Sequence, residues 1–399
     1  MNTESSSPLV TAPVVPRSEL APALRRWFVA ALKLLVGLTL TQFFLGRFLG
    51  VGWTQRVMRR ATLEAWWRRS GHVRTGGTFA EFCQTEGSMR EFAQWPNWFL
   101  GPVALTVGWR RLFGSLLANW KLGLLSAFNT AVFTLPAGLL WTFAWYAGWQ
   151  NSFHKGYEHH LVGPLTFGFG VVLFVLGMFY VPLAQARQAS TGDWRAFYQF
   201  GLVAKLIRRS WLASAGLAAL TAGLMFPVIF FKTLPFVFGY GDWAASKTPA
   251  ELLTAGSQYF FLTALWGFPA YVVLRRVAAR IYAHAVLMCV QRGSVGEDEL
   301  SDQEWAALHR LDLIAPRSRR TWHWSVKLLA WLGTRTGQLA AGGAIALIWL
   351  VLTVQIFLGE FLKYTEGGRG WWNQPLIQLP WLDYTPTHLR QAVKVSRDR

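Results

Sequence analysis

The metal-capable side chains of this sequence gather in the segment HKGYEHH. This segment contains His154, Glu158, His159 and His160. On a helix, His154 and Glu158 would share one face, and imidazole and carboxylate groups are common ligands of zinc or iron. A catalytic metal usually takes a further ligand from a second element, and the sequence offers no obvious one. We therefore expect these side chains to bind lipid head groups and loop backbone, with a metal-dependent membrane enzyme as an alternative.

A second group of polar residues lies inside an apolar segment and consists of Asn129, Thr130 and Thr134. Such groups in a membrane helix usually form hydrogen bonds to a neighbouring helix, each contributing about 0.6 to 2 kcal/mol. We expect interhelical bonds here. Contact with a substrate is the alternative, and it would suit a permease or a lipid-handling protein.

Four prolines also lie within or near the ends of apolar segments, at Pro136, Pro182, Pro227 and Pro269. Each proline removes one backbone hydrogen bond, and the freed carbonyl needs a partner inside a helical bundle. Kinked helices of this kind either shape the packing or enclose a cavity for a lipid or a small molecule.

Six long apolar segments must position these residues, and most are near the length of about 20 residues that a helix needs to cross a bilayer. They run over 27–46, 122–146, 162–184, 211–231, 258–274 and 337–358. The chain has 53% hydrophobic and 15% charged residues, which is too apolar for a soluble domain. The sequence therefore predicts an all-α polytopic transmembrane bundle of about six spans, with five or seven as alternatives.

The net charge of +19 comes from 39 basic and 20 acidic residues. The basic residues are spread over loops beside apolar segments, which argues against nucleic-acid binding and indicates cytoplasmic loops that meet anionic lipids. The stretch 275–336 is the strongest cytoplasmic signal. The first span does not fit this pattern, because basic residues also follow it. Either the N-terminal tail lies outside, or 27–52 is a re-entrant or interfacial helix, or 97–118 forms an additional half-span.

The predicted organisation has seven parts. They are a disordered tail (1–26), a transmembrane or re-entrant helix (27–52), a basic cytoplasmic loop with amphipathic helices (53–120), a four-span core (121–290), a cytoplasmic loop with a short helix (291–336), a last span (337–358) and an aromatic-rich C-terminal tail (359–399). Residues 54–70 are expected to lie on the inner leaflet or to form a solvated linker helix. Ser301 and Glu304 predict a capping box, with a helix from near Asp302 that stops before Pro316.

The four-span core contains a weak internal repeat, over 116–200 and 207–290. In each half a tryptophan precedes a proline by sixteen positions, Trp120 before Pro136 and Trp211 before Pro227. Two helical hairpins of the same orientation, related by an axis along the membrane normal, would explain this spacing. Common use of proline and interfacial tryptophan in membrane helices is the alternative explanation.

The stretch from LPAGLLWTFAWYAGWQ through FYVPLAQARQASTGDWRAFYQF is distinctive. Over residues 95–290 the chain resembles a family of uncharacterised bacterial multi-pass membrane proteins, similar in style to membrane domains attached to glycerophosphodiester phosphodiesterases. The resemblance implies a helical bundle in a bacterial inner membrane and transfers no catalytic residues. The chain is too short to add a phosphodiesterase barrel, which needs about 250 residues.

Known catalytic motifs are absent from the sequence, including nucleophile elbows, phosphate-binding loops and dinucleotide fingerprints. Cys83 and Cys289 have no CxxC neighbour, which argues against a zinc or disulfide framework. We therefore expect no cofactor and a non-catalytic role in assembly, scaffolding or membrane homeostasis. The expected partners are the lipid bilayer and either another membrane protein or a second copy of the chain.

Overall fold

The computed structural model describes residues 17–71, 78–85, 109–143, 162–238, 246–314 and parts of 324–347. Within these residues all regular structure is helical, as predicted. The helices are α1 (Arg17–Thr41), α2 (Phe44–Trp67), α3 (Phe79–Thr85), α4 (Trp109–Phe143), α5 (Val162–Thr191), α6 (Phe200–Arg209), α7 (Trp211–Phe238), α8 (Pro249–Val290) and α9 (Asp302–Arg310). Short 3-10 helices cover Trp194–Tyr198 and Glu297–Glu299.

Three stretches of these helices are long and apolar enough to cross a membrane: Phe113–Leu140, Leu165–Thr191 and Trp211–Val228. They correspond to the second, third and fourth predicted spans. The fifth predicted span, 258–274, lies inside the long helix α8. Part of the last predicted span lies outside the described residues, as do the C-terminal tail and the segment between α3 and α4.

The first predicted span is divided into two helices, because α1 ends at Thr41 and α2 begins at Phe44. The Arg47 side chain donates from Nε to the Thr41 carbonyl at 3.3 Å and so satisfies a carbonyl at the end of α1. Gly46 lets the Leu40 carbonyl approach so closely that any Cβ there would overlap it. The chain therefore turns back on itself, and α1 packs along α2. Helix α1 also begins at Arg17, within the stretch predicted to be disordered.

Helix α2 lies in the centre of the fold, which differs from the surface position expected for residues 54–70. Val51, Met58 and Trp66 are fully buried, and α2 contacts α1, α4, α5 and α8. The Trp66 indole Nε1 donates to the Ala283 carbonyl of α8 at 2.9 Å. Neither a leaflet surface nor bulk water therefore surrounds this helix, because neighbouring helices cover most of its circumference.

Helices α2 and α4 approach so closely that their backbones are in contact. A Cβ on Gly123 of α4 would overlap the Phe48 carbonyl of α2, and a Cβ on Gly52 would overlap the Asn119 carbonyl. The Asn119 amide donates to the Leu49 carbonyl at 2.9 Å across the same contact. Glycine at these two positions is therefore a requirement of the packing.

The remaining long helices form two hairpins, α4 with α5 and α7 with α8. Phe133 and Tyr180 stack between α4 and α5 with ring centroids 4.8 Å apart. The Trp266 indole of α8 donates to the Leu224 carbonyl of α7 at 3.0 Å. These hairpins coincide with the two halves of the predicted repeat, whose origin by duplication stays a prediction.

The outward faces of these helices expose large apolar side chains at helical spacing. On α5 they are Leu165, Phe169, Val172 and Leu176; on α7 they include Leu212, Leu220, Phe226 and Phe230. In water such a continuous apolar surface would be unfavourable. It is the surface that a helix turned toward lipid should have.

Helix α9 has the N-terminal cap and the bounds that the sequence predicts. The Ser301 hydroxyl accepts from the Glu304 amide, and the Glu304 carboxylate accepts from the Ser301 amide, which completes the predicted capping box. The helix begins at Asp302 and ends at Arg310. Both predicted bounds, a start near Asp302 and an end before Pro316, are confirmed.

Candidate functional site

A buried ion pair joins the first turn of α9 to the end of α5. Arg187 and Glu304 pair through Nη1 and Oε2, and each side chain is only 2% exposed. Tyr282 of α8 is fully buried beside them. Its hydroxyl donates to Glu304 Oε1 at 2.7 Å and accepts from Arg187 Nη1 at 3.1 Å. We call Arg187, Tyr282 and Glu304 the α9 clamp, because together they connect three helices.

The other donors of Arg187 are also used. Its Nε donates to Gln199 Oε1 at 2.8 Å, and Nη2 donates to the Glu299 carbonyl at 2.9 Å. Burying a charged pair is costly unless further hydrogen bonds satisfy both groups. Here the guanidinium reaches four partners, so the clamp stabilises one arrangement of the segments around α9.

The electrostatic environment keeps the Tyr282 hydroxyl protonated. Burial raises its pKa well above the ordinary value, and the neighbouring Glu304 carboxylate raises it further. The tyrosine therefore stays a hydrogen-bond donor to Glu304 across the physiological pH range. A permanently neutral donor next to a paired carboxylate suits a structural role.

A contact from α2 reinforces the same junction. Arg59 donates from Nη2 to Gln303 Oε1 of α9 at 2.9 Å. Helix α9 is thus bound by side chains from α2, α5 and α8, three helices that are distant in sequence.

Sequence reasoning identified Ser301 and Glu304 as a cap but missed the partnership of Glu304 with Arg187. Arg187 follows the end of the predicted span 162–184, where a basic residue is typical of a cytoplasmic loop. The available signal was the apolar run of α5, which continues through Ala184 and Ala186 and places Arg187 on a helix. Its partner on α9 is 117 positions away in the chain, and nothing in the local pattern indicates such a pairing.

Asn129, the predicted polar centre of α4, forms interhelical hydrogen bonds as expected. Its Nδ2 donates to the Trp194 carbonyl at 2.8 Å and to Gln188 Oε1 at 3.2 Å. Its Oδ1 accepts from the Tyr198 hydroxyl at 3.2 Å. Asn129 therefore connects α4 to the end of α5 and to the 3-10 helix that follows.

The two neighbouring threonines bond mainly within α4. Thr130 donates to the Ser126 carbonyl at 2.9 Å and Thr134 to the Thr130 carbonyl at 2.8 Å. Thr130 also accepts from Gln185 Nε2 of α5 at 2.6 Å. Thr130 thus takes part in the interhelical contact around Asn129.

Three buried glutamines beside this turn of α4 keep one side-chain atom each without a partner among the described residues. They are Gln55 Oε1, Gln185 Oε1 and Gln188 Nε2. The Nε2 atom of Gln55 donates to Ser126 Oγ at 2.7 Å, so the three side chains border the same part of α4. Buried polar atoms normally find a partner, and here ordered water or a small polar guest would supply it.

The four predicted proline positions all lie within helices. Pro136 is in α4, Pro182 in α5 and Pro269 in α8, and Pro227 is in α7. Next to Pro269, the Phe268 ring packs against Gly37 of α1 and Gly50 of α2. At this position the space beside the proline is filled by packing between helices.

The segment HKGYEHH, expected to contact lipid head groups and with metal binding as the alternative, lies outside the described residues. Within the part of the chain that the structure covers, no three His, Cys, Asp or Glu side chains come close enough to hold a metal ion. Comparison with known proteins adds no assignment, since no family profile, no curated protein and no solved structure matches the sequence.

Proposed function

We propose that this chain is a non-catalytic, multi-pass protein of the bacterial inner membrane that serves as an assembly scaffold. The observation that carries the proposal is the α9 clamp. It fixes a short polar helix rigidly to α5 and α8, two helices that also carry exposed apolar surface. A scaffold needs such a combination of a lipid-facing bundle and a rigid recognition element outside it.

The outer face of α9 is the proposed recognition surface. Asp302, Ala306 and His309 are exposed and lie on one side of the helix, whereas Glu304 and Leu308 are buried against the bundle. Because the clamp prevents the helix from turning, these exposed residues keep a constant orientation toward a partner. The expected partner is another membrane protein or a second copy of the chain.

Cross-linking from α9 tests this role. We expect a photo-reactive amino acid at Ala306 to form one discrete protein adduct in cells, and Glu304→Gln to weaken that adduct while the protein stays in the membrane. The same amino acid at Leu262, which is 60% exposed on α8, serves as the control and should react only with lipid. A monomer in native mass spectrometry, together with no protein adduct at Ala306, would remove the scaffold proposal.

The turn between α1 and α2 supports a specific topology. Since α1 folds back along α2, the start of α1 and the end of α2 lie on the same side of the membrane. Lys33 of α1 and Arg60 of α2 lie close enough for their like charges to repel each other. We propose that 27–52 enters and leaves from the cytoplasmic face, which agrees with the basic residues that follow it.

Cysteine accessibility measures this topology. In a background with Cys83→Ser and Cys289→Ala, we expect Leu24→Cys to react with a membrane-impermeant maleimide only in inside-out vesicles, together with Arg292→Cys. Lys247→Cys precedes α8, at the opposite end of that helix from Arg292, and should react in intact spheroplasts instead. Labelling of Leu24→Cys in spheroplasts would show that α1 crosses the membrane after all.

The unpartnered glutamine atoms near Asn129 favour a second candidate, a permease for small polar solutes. The three glutamines lie between α2, α4 and α5 and would bind the solute through their free amide atoms. Flux into proteoliposomes that Gln185→Leu abolishes would support this candidate. Equal flux through the wild type and Gln185→Leu, or none through either, would rule it out.

A further inference from the structure

The exposed face of α8 changes from apolar to basic within one helical turn. Leu262, Trp266 and Val273 are exposed at positions that share one side of the helix. The next exposed positions on that side are Arg276 and Arg280. A helix that leaves the hydrocarbon core and enters the head-group layer shows this order of side chains.

The turn after α2 contributes further arginines to the basic part of this face. The Thr62 hydroxyl donates to the Ala279 carbonyl at 3.4 Å, and together with the Trp66 to Ala283 bond this holds the end of α2 beside α8. The exposed Arg68 and Arg69, which directly follow α2, thereby come next to the basic turns of α8. We call Arg68, Arg69, Arg276 and Arg280 the arginine seam.

One acidic residue lies within the arginine seam. Glu64 pairs with Arg276 at 3.2 Å and also with Arg68. Arg280 forms no hydrogen bond or ion pair with another described residue. One carboxylate against four guanidinium groups leaves an excess of positive charge on an exposed surface, and a guanidinium group binds phosphate through two parallel hydrogen bonds.

We propose that the arginine seam binds the phosphate of an anionic phospholipid, whose acyl chain lies along Val273, Trp266 and Leu262. The inference rests on the proposed placement of the bundle in the inner membrane and adds a specific ligand site to it. A soluble phosphate would use only the arginines. The apolar stripe that continues directly from the arginines favours a lipid, because it can bind the acyl chain of the molecule whose phosphate the arginines bind.

Native mass spectrometry of the full chain tests the site. The protein would be reconstituted in nanodiscs of phosphatidylcholine and phosphatidylglycerol, released and examined for retained lipid. We expect the wild type to retain phosphatidylglycerol, and Arg276→Gln with Arg280→Gln to bind it about 30-fold more weakly, given the contribution of each basic residue at an anionic surface. Both side chains are exposed, so the double variant should fold.

The matched control removes the same charge elsewhere. Arg195→Gln with Arg208→Gln changes two exposed arginines outside the arginine seam and should leave the retained phosphatidylglycerol unchanged. An equal loss in both double variants would overturn the proposal, since it would indicate a general effect of net charge.

Binding of inorganic phosphate in phosphatidylcholine nanodiscs with no retained lipid would overturn it in favour of a soluble anion. Loss of the Ala306 cross-link alone would remove the scaffold role and leave the lipid site standing.

Discussion

Gly123→Ala is expected to destabilise the protein by about 2 kcal/mol or more, although alanine is the better helix former. The propensity gain of about 1 kcal/mol is outweighed because the new methyl group would overlap the Phe48 carbonyl and the Gly52 nitrogen. Both obstacles are backbone atoms of a central helix, so relief requires α2 and α4 to separate. Overpacking of this kind costs typically about 1–3 kcal/mol. Unfolding in detergent, followed by the midpoint of denaturation, measures the effect.

Gly216→Ala is the matched control for this substitution. Gly216 lies within α7, and a Cβ there would meet nothing within 4 Å. That variant should be neutral or slightly more stable, because it gains helix propensity without a clash. Gly52→Ala should resemble Gly123→Ala, since it affects the same contact from the other side. Equal stability of Gly123→Ala and Gly216→Ala would contradict the close approach of α2 and α4.

Glu304→Gln is expected to cost about 3–5 kcal/mol, because it leaves the buried Arg187 charge without its carboxylate. Glutamine retains the shape of glutamate and can still complete a capping box, so the loss would report on the ion pair and not on the cap. Proteolysis near α9 should accelerate at the same time. The midpoint of unfolding and the rate of proteolytic cleavage in the segment that follows residue 300 together measure the effect.

Two comparisons make the clamp prediction specific. Lys205 and Glu299 form an exposed pair at 2.7 Å with side chains 48% and 28% exposed, and Lys205→Gln should cost at most about 1 kcal/mol. Arg187→Met combined with Glu304→Gln removes both charges and should recover part of the stability lost by Glu304→Gln alone. If the loss of stability of the double variant relative to the wild type equals the sum of the losses of Arg187→Met and Glu304→Gln, the two residues are not coupled.

Local patterns in the sequence were sufficient for several elements. The apolar runs over 162–184 and 211–231 predicted α5 and α7, because a long uninterrupted apolar segment has few alternatives to a helix in lipid. Ser301 and Glu304 predicted the start of α9 because a capping box satisfies its own backbone donors locally. Asn129 was assigned to interhelical bonding on its chemistry alone, and the structure supplies its partners.

Other features were not predicted from the sequence pattern. The break between α1 and α2 falls at Gln42 and Phe43, neither of which ends a helix by its own preference. The bond from Arg47 to Thr41 and the close approach at Gly46 produce it. The burial of α2 was also not predicted. Its arginines indicated an exposed helix, whereas neighbouring helices cover most of it.

The sequence by itself determined the helical class, three of the apolar spans and the start of α9, since apolar length and caps act within a few turns of one chain segment. Only the tertiary structure decided which polar groups meet. The partnership of Arg187 with Glu304, the contact of Gly52 with α4 and the arrangement of the arginine seam each join residues far apart in the chain. Their energies depend on burial and distance, and neither quantity exists until the helices have packed.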